Sequence, residues 1–277
     1  MKRSTKLSLM IAVCSIAIGA LLFLFAWKQA DGDPKNWGTT RAVQNSQTVS
    51  QTFSNISIHT AASDIRFLPS QDGTCRVDCP ESSQGYHTVE VIDDTLQIQW
   101  VHKRDIHFGV FLHEDETITV YLPETAYEAL TLETVSGDIG IAQPFQFTRA
   151  SLHTTSGDIY CSASITETLN AQTTSGDLEL TSLRCKELSV ESISGEIELE
   201  NVVAQQIQCN TTSGDMELER CDAETLTLNS VSGDISGALL REKVYSCSTV
   251  SGDVRVPKNQ SGGVCTVNTV SGDIKFR

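Results

Sequence analysis

Over most of its length the chain alternates apolar and polar positions with period two, and one short word interrupts the alternation at regular intervals. Counted from the serine of that word, positions minus 6 and minus 4 are apolar or small, as in Leu188 and Val190, Ile207 and Cys209, and Leu226 and Leu228. Position minus 2 continues the same face and is always Thr or Ser: Thr134, Thr154, Thr173, Ser192, Thr211, Ser230, Thr249 and Thr269. Stacked, these side chains would form a hydroxyl ladder. Position minus 1 faces the other way and is always β-branched, from Val135 and Thr155 to Val250 and Val270. After the word the alternation resumes, with Ile197 and Leu199, Met216 and Leu218, Val254 and Val256, and Ile274 and Phe276 pointing inward. Period two with β-branched residues on a pleated surface predicts half-buried strands on either side of a turn.

The word is TVSGDI at 134–139 and again at 269–274, with TTSGDI, TTSGDL, SISGEI, TTSGDM, SVSGDI and TVSGDV between. Its serines are Ser136, Ser156, Ser175, Ser194, Ser213, Ser232, Ser251 and Ser271, at gaps of 19 or 20 residues. A period this short is a coil that leans on its neighbours. The spacing therefore predicts an all-β chain, a single-stranded β-solenoid of about eight coils over 129–277, each stacked on the one before at about 4.8 Å by parallel pairing. Its corners are Gly137, Gly157, Gly176, Gly195, Gly214, Gly233, Gly252 and Gly272. A recurring glycine at a corner is expected where φ must be positive.

Before the repeats, TAASDI at 60–65 reads as a degenerate first coil, and the alternating runs at 88–92, 95–100 and 117–122 predict an antiparallel or mixed β cap, giving a cap region of 49–128. At the other end the chain stops two strands into the last coil. That predicts an uncapped edge, guarded by Lys275 and Arg277 or meant to pair with something.

Residues 7–27 carry no charge, follow Lys2, Arg3 and Lys6, and are long enough to span a bilayer. The best cleavage-like triplet, Leu24-Phe25-Ala26, lacks a small first residue, so an uncleaved anchor is expected. The basic tail 1–6 stays in the cytoplasm, 28–48 is a polar linker, and the repeats lie outside a single-pass cell-membrane protein. The formal charge is −15, and the four basic residues up to Lys28 come with no acid, so the exterior part is more acidic still. Such a surface excludes a nucleic-acid partner and attracts cations.

Nine cysteines are compatible with disulfides outside the cytoplasm. However, Cys161, Cys209, Cys247 and Cys265 fall on the inward register, and Cys209 and Cys247 sit two coils apart, about 9.6 Å, beyond bridging distance. Buried free thiols are expected there. Cys75 and Cys79 could pair only if the chain bends between them.

The acids after the glycines, Asp138, Asp158, Asp177, Glu196, Asp215, Asp234, Asp253 and Asp273, would stack at about 4.8 Å and repel by roughly 0.9 kcal/mol per neighbouring pair even in bulk water. A file of calcium ions could offset this, and that is the one metal or cofactor reading the chain offers. The preferred reading is structural, with each carboxylate accepting backbone N–H groups at its own corner. His102, His107 and His113 have no spacing that forces them to converge on a metal, and no catalytic residue can be assigned.

The repeats TTSGDLEL and TTSGDMEL, the YLPE segment at 121–124 and the N-terminal anchor together resemble the bacterial putative-adhesin β-strand-repeat family, a domain of unknown function. The resemblance implies the fold and a surface-exposed protein. The expected function is a non-enzymatic, adhesin-like envelope module presenting a long acidic face to an envelope polymer or membrane protein. The alternative is a structural or regulatory subunit of an envelope-stress complex that pairs, or self-associates, through the C-terminal edge. A glycan-active enzyme ranks below both.

Overall fold

The computed structural model describes residues 43–82, 85–103 and 116–277. The candidate anchor at 7–27, Cys14, His107 and His113 lie outside them. Among the described residues no helix is long and apolar enough to cross a membrane.

Every assigned element is a strand, and the strands wind into a solenoid-like stack. In chain order the first seven are β1 (Val43–Val49), β2 (Asn55–His59), β3 (Asp64–Pro69), β4 (Cys75–Glu81), β5 (Gly85–Ile92), β6 (Thr95–His102) and β7 (Thr117–Leu122). The repeats contribute β8 (Ala126–Glu133), β9 (Ile139–Ile141), β10 (Gln146–His153), β11 (Ile159–Cys161), β12 (Ser164–Gln172), β13 (Leu178–Thr181), β14 (Glu187–Ser192), β15 (Ile197–Glu200), β16 (Val203–Thr211) and β17 (Met216–Asn229). The last five are β18 (Ile235–Leu239), β19 (Lys243–Ser248), β20 (Val254–Arg255), β21 (Gly263–Asn268) and β22 (Ile274–Phe276).

Each coil gives one strand before its corner and one after it, and these build two parallel ladders. The pre-corner ladder runs β6, β2, β8, β10, β12, β14, β16, β17, β21, β19. The post-corner ladder runs β7, β3, β9, β11, β13, β15, β17, β18, β22, β20. The inward rows of both are buried, for example Leu169, Leu188, Ile207 and Leu226 facing Leu178, Ile197, Met216 and Ile235. One apolar file thus runs along the stack, as period two requires.

The first coil is present without its glycine: β2 and β3 pair with β8 and β9 across the corner Ser63-Asp64. The antiparallel cap is β5 on β6, and β1 on β4 on β7. Coil order, however, does not follow chain order at either end. The first coil lies between the coil of β6 and β7 and the coil of β8 and β9. The last coil is inserted between those of Ser232 and Ser251, and Ser271 bridges to both. The free C-terminal edge is therefore β19 and β20, not the final strand. Lys275 and Arg277 sit one layer in, and Arg277 pairs with Glu219 on β17.

The insertion also corrects the cysteine geometry. Cys209 and Cys247 are separated by Leu228 and Val267, three steps of the ladder instead of two. Cys75 and Cys79 lie along one strand, β4, so no bend brings them together. All eight described cysteines are free thiols, and burial pushes Cys75, Cys79, Cys161 and Cys265 up to about 12. They pack as small hydrophobes.

Candidate functional site

The repeated word makes the corner, and three of its residues join each coil to the next. The Thr at minus 2 points inward and accepts a bond from the glycine N–H of its own corner while donating to the glycine carbonyl of the preceding coil. Thr154 Oγ1 accepts from Gly157 N at 3.1 Å and donates to Gly137 O at 3.1 Å, and Thr173 repeats this with Gly176 and Gly157. The hydroxyls therefore bridge backbone groups and do not ladder with one another.

Glycine is required by contact more than by φ. Of the eight corner glycines only Gly252 has a positive φ, +156°. A Cβ on Gly176 would stand 1.8 Å from the Gly157 carbonyl oxygen, and one on Gly195 would stand 1.7 Å from that of Gly176.

The acidic row is in register, and its oxygens bond to the neighbouring coil, not to their own corner. Asp158 N–H donates to Asp138 Oδ1 at 2.9 Å, Asp177 N–H to Asp158 Oδ1 at 2.8 Å, and Glu196 N–H to Asp177 Oδ1 at 2.9 Å. The run continues from Asp215 through Asp234 and Asp273 to Asp253, and it begins at Asp64 of the first coil, whose Oδ1 receives Asp138 N–H. It breaks at Glu196, which makes no such bond to Asp215 among the described residues. At that same corner the buried Thr211 hydroxyl has no partner. Among the described residues no group of three or more His, Cys, Asp or Glu is placed to hold a metal ion.

Outside the corners two faces differ in chemistry. On the post-corner sheet, Glu179, Glu198 and Glu217 stack in register, flanked along the same strands by Thr181, Glu200 and Glu219. Partial desolvation, then Glu179, Glu217, Glu196 and Glu200, push the Glu198 carboxyl above its ordinary range. Arg220 pairs with Glu200, and Lys275 and Arg255 stand in the same row beyond Ser236. The middle of this face is a concentrated negative stripe with cations at its C-terminal end.

On the pre-corner sheet, the outward row is Gln99, His59, Glu133, His153, Gln172, Glu191, Asn210, Asn229, Asn268 and Ser248. Every member can hydrogen-bond. Asn268 Nδ2 donates to Asn229 Oδ1 and Asn229 Nδ2 to Asn210 Oδ1, each at 3.0 Å, and His59 Nε2 lies 3.2 Å from Glu133 Oε2. Beside this row run the β-branched side chains at minus 1, with Val135, Ile193 and Val231 about half exposed. Two hollows, of about 350 and 400 Å³, meet at His153. Sequence reading missed this row, although position minus 3 from each serine is never apolar.

A family model described as Toastrack DUF4097 matches residues 53–277. A search of curated proteins finds no match. Among solved structures, a putative adhesin from Bacteroides fragilis NCTC 9343 is 18% identical, with 87% of this chain and 99% of that one covered and a TM-score of 0.48. A putative lipid binding protein from Parabacteroides distasonis ATCC 8503 is 14% identical, with 84% and 96% covered and a TM-score of 0.49. A putative adhesin from the same strain is 13% identical, with 86% and 98% covered and a TM-score of 0.47.

Proposed function

The chain belongs to the Toastrack DUF4097 family, and from that premise we propose that it is a membrane-anchored, extracytoplasmic, non-enzymatic binding module of adhesin type. It engages an extended partner bearing cationic groups along the stripe of Glu179, Glu198 and Glu217. The observation that carries this reading is the register of those three carboxylates on β13, β15 and β17. The sheet sets the backbone spacing of these residues at about 4.8 Å without a partner, so no backbone ordering is needed on binding. A stack of coils repeats such a row at no extra cost in design, whereas one catalytic centre needs unlike residues converging.

The corner acids are structural in this reading, because one oxygen of each carboxylate in the unbroken runs is committed to the neighbouring coil's backbone.

The test is binding of the full chain in lipid nanodiscs to poly-L-lysine of defined length. The triple variant E179Q/E198Q/E217Q is expected to bind at least about tenfold more weakly and with a shallower salt dependence. Equal binding by wild type and variant overturns the acidic-face reading.

One observation favours a second reading, a subunit that docks through its end. The β19–β20 coil leaves Val250 83% exposed, with Leu240 and Val254 also open, where inner coils bury the residue equivalent to Val254. Cross-linking through cysteines placed at Ser246 and Arg255 would capture a partner strand if that edge is the working surface.

A further inference from the structure

We propose that the hollow running from Trp100 past His59 and Glu133 to His153 is a binding subsite for a neutral saccharide, a stretch of about two to three pyranose rings of a glycan chain lying along the groove of the pre-corner sheet. This goes beyond the acidic stripe: it lies on the other sheet, and it stands or falls separately.

The aromatic wall is built. Trp100 follows directly on Gln99, the ladder partner of His59, so a half-buried indole stands at the N-terminal end of the groove. Its position is fixed from three sides. Its Nε1–H donates to His102 Nδ1 at 3.3 Å, and the ring meets His87 edge-on at 4.9 Å. Gly85 makes room for it, since a Cβ there would come within 2.5 Å of Trp100 Cζ2. Behind it His87 is buried, with Nε2 bonded to Thr60 Oγ1 and Nδ1 to Pro80 O, and burial holds its imidazole below the ordinary histidine range. The wall is thus backed by a neutral, satisfied ring.

The open side of the hollow, about 350 Å³, is lined by His59, Thr60, Glu133, Val135 and His153 as well as Trp100. Its polar groups include His153 and the His59–Glu133 pair, set beside the apolar surface of Trp100 and Val135. That combination suits a ligand with a C–H face and a rim of hydroxyls, which is what a pyranose ring presents. The Glu133 carboxylate turns away phosphates and uronic acids. The hollow contains one carboxylate, whereas hydrolysis of a glycosidic bond uses a pair, so the site binds and does not cut. Beyond His153 the groove continues past Gln172, Glu191 and Asn210, whose side chains recur once per coil and can follow a linear chain.

The experiment is isothermal titration calorimetry of the full chain in nanodiscs with chitotetraose and cellotetraose, compared with W100A, H153A and the E179Q/E198Q/E217Q triple. Binding of at least one neutral tetrasaccharide is expected, weakened about tenfold or more in W100A and in H153A and unchanged in the triple. His153 is exposed, so H153A keeps the fold even if W100A loosens the cap. No heat with either sugar overturns the proposal, and so does binding that H153A leaves intact. A glucosamine tetramer, cationic at neutral pH, is titrated alongside into wild type and E133Q, and binding confined to that sugar and abolished in E133Q overturns the neutral assignment. None of these results bears on the acidic stripe, which the polylysine assay reads.

Discussion

At the scale of the residue, the word TxSGD is a joint between coils. The sequence showed which residues recur but not what they touch, because a pattern read within one coil contains no distance to the next. The glycine was expected to supply φ, yet its main role is to let one corner rest on the carbonyl below. Gly176→Ala places a carbon 1.8 Å from a backbone oxygen that cannot yield, and is expected to cost about 3 kcal/mol or more in a denaturant melt. Gly140→Ala, with nothing nearer than 3.9 Å, should be close to neutral in the same assay. The acids behave likewise. Asp177 works through one oxygen accepting a backbone N–H, so Asp177→Asn keeps the bond and removes repulsion, while Asp177→Ala loses the bond. The expected ordering in thermal melts is Asn at or above wild type, and Ala lower by about 1 kcal/mol. Addition of calcium should leave that ordering unchanged.

At the scale of the element, the ends depart from the simple repeat. Near-identical words cannot say which coil follows which, so chain order was the natural expectation, and the inserted last coil was not legible. What holds it is visible in the structure. Lys243, on the outermost layer, pairs with Gly263 of the inserted strand and reaches past that glycine to Asp222 and to the Ala223 carbonyl on β17. A side chain at 263 would meet the Lys243 Nζ at 3.2 Å and the Ala223 carbonyl oxygen at 2.9 Å. Arg241 pairs with the second oxygen of Asp222. The lysine and the aspartate are 2% and 3% exposed, so this clasp cannot lean on water. Burial alone would raise the Asp222 carboxyl, but Lys243 and Arg241 hold it below the ordinary range. With its folded value below the unfolded value of about 3.9, the clasp contributes fully at neutral pH and is lost as pH falls through the folded value. Asp222→Ala should cost about 3 kcal/mol and raise hydrogen exchange in β21 and β22 first. Asp222→Asn should flatten the acid limb of stability below about pH 4.

At the scale of the whole molecule, the rod carries two unlike faces on one core. The stripe of glutamates and the amide-rich groove lie on separate sheets, and the free end is a third surface. The family and the all-β stack were legible because period two and the 19-residue spacing report directly on pleat and coil. The faces were not, since the acids that recur most regularly are the corner acids, and most of these are committed to backbone bonds. Position minus 3 varies in identity while staying polar, and the glutamates of β13, β15 and β17 occupy only three neighbouring coils, a row that the register of the strands displays. The most direct measurement of the central claim is carboxyl footprinting of the full chain with and without bound poly-L-lysine, read by mass spectrometry. The acidic-face account predicts that Glu179, Glu198 and Glu217 are shielded while Asp253 and Glu242 at the free end label as before. Shielding of Asp253 and Glu242 with the three glutamates unchanged would contradict it and make the end of the rod its working surface.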